Sequence, residues 1–204
     1  MLVYPLFHPY AFHDLYLRGG ARCGLCMVLF LAGFTLAAQE RQSAKKAEAD
    51  TLPVPNEPNQ LFYLQRDPDD NTVIYQLNTV DGVVDADKPV NIYWIRYAEG
   101  GTRKNLNFVQ RSMAYGITHK KLGDDAIELR LAAYEDHPLR LAYCEKSKTY
   151  RVYTTIDRRE AVLERIFVRI EGGSALNPNI MYFELVGRDT TTQTRVSERI
   201  KPVQ

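Results

Sequence analysis

Apolar and polar residues alternate with a period of two in run after run of this chain, the pattern of strands that bury one face. Leu61 to Gln65 and Val73 to Leu77 flank the turn residues Asp67, Pro68, Asp69, Asp70 and Asn71, so they read as a hairpin. Asn91 to Tyr97 follows, with Ile92, Trp94 and Arg96 on one face. Further strands are read at Ile127 to Leu131, Leu139 to Tyr143 and Tyr150 to Thr154. In the next one Val162, Ile166, Val168 and Ile170 share a face, opposite Arg165, Phe167 and Arg169. Met181, Phe183 and Leu185 form another, and residues 194–200 the last. Strands at this spacing with tight turns predict an all-β fold, mainly an antiparallel meander, arranged as a barrel or a sandwich. One short helix is expected within it near residues 104–115. Leu106, Val109 and Met113 fall on one side of it, Thr102 caps its start and Gly116 ends it.

The first 38 residues follow a different logic. Arg18 and Arg22 precede the apolar run Gly24 to Ala38, which ends in small residues. That is the layout of a secretory signal peptide, with Thr35 and Ala37 suited to the cleavage positions. The run is short for a membrane span, so an uncleaved anchor is the competing reading. Residues 1–17 are rich in aromatics and read as an N-terminal extension. Residues 39–59 hold few large apolar side chains and contain Pro53, Pro55 and Pro58, so they read as a flexible linker. Residues 60–204 are then a single β-rich domain. The expected address is the periplasm or the extracellular space, with no stable membrane span once the signal is removed.

Charge excludes some partners. Beyond residue 38 basic and acidic side chains balance at 24 each. A neutral exported chain is a poor nucleic-acid binder, even with its many tyrosines. Cys23 and Cys26 form C-x-x-C inside the signal, where redox chemistry is not expected; Cys144 is read as a small buried residue on a strand. Asp67, Asp69 and Asn71 copy the start of a calcium loop. Thr72 and Asn78 stand where such a loop needs Gly and Glu, so a turn is the better reading. No zinc spacing, phosphate loop, nucleophile elbow or dinucleotide fingerprint occurs, so no cofactor and no metal are expected.

One constellation combines charge with aromatic surface. Trp94 and Arg96 point the same way on a strand, and Glu99 follows within reach. Arg111 and Tyr115 lie on the expected helix, and Arg165 and Arg169 flank Phe167. If Trp94 faces the core, Arg96 lies inside or at its rim and needs a partner, with Glu99, Glu171 and Glu184 as candidates. Guanidinium groups left unpaired would instead suit carboxylate or phosphate. These seven residues are the candidate ligand-binding set, and an internal salt-bridge network is the competing reading.

The segments LFYLQRD (61–67), KPVNIYWIRYAEGG (88–101), QRSMAYG (110–116), KKLG (120–123) and RIFVRI (165–170) resemble a bacterial family catalogued as a domain of unknown function, number four-eight-three-three. The W-x-R core followed by E-G-G carries most of the likeness. The resemblance covers roughly residues 60–202 and implies an exported bacterial protein, without supplying catalytic residues. The leading expectation is therefore a non-catalytic envelope domain that binds an unknown small molecule or envelope protein. The alternative is an envelope hydrolase with Glu99 as general acid or base.

Overall fold

A computed structural model of the chain describes residues 52–67, 69–123, 126–174 and 177–202. The expected signal segment, with Cys23 and Cys26, and most of the expected linker lie outside these residues. The described residues belong to one compact unit, Ala49–Gln204. Its strands are β1 (Gln60–Asp67), β2 (Asp69–Leu77), β3 (Thr79–Val80), β4 (Val83–Val84), β5 (Val90–Arg96), β6 (Thr102–Asn105) and β7 (Ile117–Lys121), followed by β8 (Ala126–Leu131), β9 (Tyr134–Cys144), β10 (Thr149–Ile156), β11 (Arg159–Gly173), β12 (Pro178–Asp189) and β13 (Arg195–Ile200). A helix, α1 (Phe108–Gln110), runs on as a π-helical turn, Arg111–Tyr115. The all-β expectation with one short helix holds: eleven strands form one large curled, mixed sheet, a half-barrel.

Strand β11 organises that sheet. One edge pairs with β12 from Ala161 to Gly173. The other edge is shared. Arg159 to Val162 pair antiparallel with β10, and Arg165 to Arg169 pair parallel with β1. Two limbs therefore leave the same edge: β1-β2-β5-β6 and β10-β9-β8-β7. Leu163 and Glu164 lie at the handover, and the β11–β12 register shifts there. This bulge resets the alternation. Ala161 and Leu163 face the core before it, and Ile166 and Val168 after it. Val162 consequently faces outward, not inward with Ile166 as strict alternation predicts. Opposite the bulge, a Cβ on Gly187 would overlap the Val162 carbonyl, so no larger residue fits this fork.

The limbs close on a shared core. Phe62, Leu64, Val73, Tyr75, Ile92 and Trp94 of one limb meet Leu129, Leu139, Leu141 and Val152 of the other. Phe62 and Tyr75 stack at 4.2 Å between centroids, and both are fully buried. The hollow beside Leu64, Ile166, Leu139 and Phe183 holds only about 20 Å³. That is room for one water, not for a lipid or sugar.

The first limb also buries its other face, where Tyr63, Ile74, Tyr93 and Ile95 cluster against Tyr97. Residues 52–59, the end of the expected linker, are bonded to the strands of that face. Gln65 donates to the Pro53 carbonyl (2.6 Å), Gln76 to the Pro58 carbonyl (2.6 Å), and Glu57 accepts from Tyr93 and Arg103. Gln65 is 1% exposed and also reaches Thr72. Its amide therefore depends on this strap for one of its two partners. Gln65→Ala is expected to lower unfolding free energy in urea by roughly 1–3 kcal/mol, the usual cost of lost buried polar pairing. An unchanged midpoint would show that the strap contributes no stability.

Candidate functional site

Helix α1 is built from local chemistry. Asn107 and Gln110 form a capping box: the Asn107 side chain accepts from the Gln110 amide (2.8 Å), and the Gln110 side chain accepts from the Asn107 amide (3.1 Å). The helix starts later than periodicity suggests. Residues 102–105 pair as β6 with β5, so Thr102 is a strand residue and Asn107 the cap. Gly116 ends the helix as expected, in an extended conformation. Its missing side chain matters, because a Cβ there would overlap the Arg111 carbonyl.

One aromatic contact and two hydrogen bonds dock this helix on the core. Trp94 meets Tyr115 edge to face at 5.1 Å, and its indole donates to Gln110 at 3.4 Å. The buried Tyr75 hydroxyl donates to the Tyr115 carbonyl at 3.0 Å. Burial pushes the Tyr115 phenol up, against the nearby Arg66 guanidinium. Arg66 in turn lies 5.6 Å from the Trp94 ring and bonds Asp69 at 2.9 Å.

The seven candidate residues separate into three places. Trp94 and Tyr115 are core, and Arg96 sits at its rim, where it pairs with Glu99 at 2.6 Å. Glu99 also accepts from Lys104 at 2.7 Å, and that bond, with the Arg96 charge, holds its carboxyl below the usual range. Arg66 Nε, Asn71 Oδ1 and Arg96 Nε are buried with no hydrogen-bond partner among the described residues. Arg165 and Arg169 flank Phe167 on the opposite face of the sheet. Arg169 pairs with Asp67 and Glu171, and Arg165 lies 5.0 Å over the Phe167 ring. They share no hollow with Trp94.

Arg111 stands apart, on the wall of a seam between β5 and β7. Two adjoining grooves meet there, sharing Lys88, Ile92 and Arg111. One, of about 200 Å³, is lined by Lys88, Arg103 and Arg111 with the amides of Gln76, Asn91 and Asn105, and no carboxylate. The other, of about 320 Å³, mixes Val90 and Ile117 with His119, Asp87 and Glu135. Arg103 is tied to Glu57 (2.8 Å) and stacks on Tyr93 (3.7 Å). Arg111 and Lys88 make no ion pair among the described residues. Lys88 and Arg103 escaped sequence reasoning, because only strand register brings them to Arg111.

The remaining candidates resolve into structure. Asp67 ends β1 and Asp69 to Asn71 open β2, with the Asp69 carboxylate accepting from the Asn71 amide at 2.9 Å, so the calcium-like segment belongs to the β1–β2 hairpin. No group of three or more His, Cys, Asp or Glu is placed to hold a metal, and no helix is long and apolar enough to cross a membrane, among the described residues. Cys144 is half-exposed on the outer face, not buried as its strand position suggested.

Gly116→Ala is expected to cost roughly 1–3 kcal/mol, as overpacking against backbone does, and to speed amide exchange across residues 108–115. Unchanged exchange would show that the close approach to Arg111 is not needed.

No curated protein and no solved structure matches this chain. Residues 62–199 match the family described as Domain of unknown function (DUF4833), well over half of the chain and nearly all of the half-barrel, and the chain belongs to that family.

Proposed function

We propose that this chain is an exported binding protein that holds an anionic small molecule in the seam beside Arg111, without transforming it. The observation that carries this reading is the pair of cations, Arg111 and Lys88, which make no ion pair among the described residues and stand on the wall shared by two grooves. Arg96, Arg103 and Arg169 are paired with carboxylates, whereas Arg111 and Lys88 are exposed to solvent side by side on one concave wall. The groove lined by Lys88, Arg103, Arg111 and three amides fits a carboxylate or phosphate, which the planar Arg111 fork can grip with two parallel bonds. The adjoining groove, with Val90, Ile92 and Ile117, then takes the less charged body of the ligand. The hollow beside Leu64 and Phe183 supports the same choice, since its roughly 20 Å³ admit no more than a water.

Export rests on the Arg18 to Ala38 layout of the sequence. A hydrolase reading built on Glu99 gains no support. Both carboxylate oxygens are held by cations, and a carboxyl lowered in this way is a poor proton donor near neutral pH.

Titration calorimetry with citrate and inorganic phosphate tests the proposal. Binding is expected at low salt and should weaken as ionic strength rises. Arg111→Gln should weaken it by roughly 10- to 100-fold, the loss of a charge-assisted hydrogen bond, and Lys88→Gln by less. Equal affinity in wild type and Arg111→Gln would refute the seam as the site.

A further inference from the structure

The fork in β11 leaves a second opening on the far side of the unit. Where β1 and β10 part, a trough of about 730 Å³ lies on the outer face. Leu61 of β1 and Tyr153 of β10 are on its walls, with Val162 turned outward by the bulge. Four cations line it: Arg140, Lys146, Arg151 and Arg188. Two are neutralised, Arg140 by Glu160 at 2.7 Å and Arg188 by Glu164 at 3.1 Å. Arg151 and Lys146 make no ion pair among the described residues.

We propose that this trough binds a short acidic saccharide, with Arg151 and Lys146 taking its carboxylates. This site is separate from the seam, shares no lining residue with it and does not depend on it. Two observations favour a sugar over a simple anion. The trough has the volume of several sugar rings, where an inorganic anion needs only a small nest. Its walls alternate cations with the Glu160 and Glu164 carboxylates and the Thr190 hydroxyl, a mixture matched to a ligand carrying hydroxyls as well as charge. Arg140 lies 4.7 Å over the Tyr153 ring and fixes one wall.

The site contains its own reporter. Cys144 lines the trough, and hydrogen bonds from Ser147, then Tyr153, lower its thiol to about 7. It therefore reacts readily with iodoacetamide at neutral pH. The full chain is alkylated with and without oligogalacturonate, dextran oligosaccharide or inorganic phosphate. Mass spectrometry of the Cys144 peptide keeps Cys23 and Cys26 out of the signal. Oligogalacturonate is expected to slow Cys144 alkylation on the order of tenfold, a difference worth about 1.4 kcal/mol of occupancy. That protection should be lost in both Arg151→Gln and Lys146→Gln, each compared with its own unliganded rate, and kept in the charge control Lys201→Gln. No protection by oligogalacturonate, equal protection by dextran or phosphate, or equal loss in Lys201→Gln would each overturn the assignment.

Discussion

Everything in this unit hangs on a single strand edge. Strand β11 gives one edge to β12 and divides the other between β10 and β1. Sharing an edge forces the limbs to diverge, and the bulge at Glu164 lets the strand serve both without losing its inward face. The limbs then curl toward each other and bury Phe62, Trp94, Leu139 and Val152 in one core. A sheet with a free edge at the fork would invite pairing with other chains. Here the fork is narrowed by Gly187 and furnished with charge.

A filled interior moves recognition outward. Lipid carriers built on β-barrels keep a cavity at their centre, and this core leaves about 20 Å³. The two places where the curled sheet fails to close, seam and fork, are where grooves form. They are also where cations stand that make no ion pair among the described residues: Arg111 and Lys88 at one, Arg151 and Lys146 at the other. Elsewhere most guanidinium groups are spent on architecture. Arg96 is tied to Glu99, Arg169 to Asp67 and Arg199 to Glu184. An uncompensated charge at a concave surface costs self-repulsion and desolvation that a bound anion relieves.

Much of the fold was legible because alternation is a direct trace of one-sided burial. The hairpin at Asp69, the strands around Trp94 and Leu141, and a helix ending at Gly116 follow from local patterns. What was not legible came from long-range pairing. Thr102 reads as the cap of a helix starting near residue 104, yet residues 102–105 pair with β5 because an open edge is available there. Val162 changed faces because of a bulge whose cause is the arrival of β1, about a hundred residues upstream. The placement of Trp94, Arg96 and Glu99 at a core and its rim could be reasoned from period two. That Arg165 and Arg169 face away from Ile166 and Val168 follows from the same alternation, whereas their separation from Trp94 depends on how the strands pair.

The central claim is that β11 welds both limbs into one cooperative unit. Trp94 is the sole tryptophan and reports on the first limb, while far-ultraviolet circular dichroism reports on all strands. Chemical denaturation followed by both probes tests the claim directly. The account predicts superimposable transitions with one midpoint. A Trp94 transition clearly displaced from the circular dichroism transition would mean that the limbs unfold separately, and would contradict it.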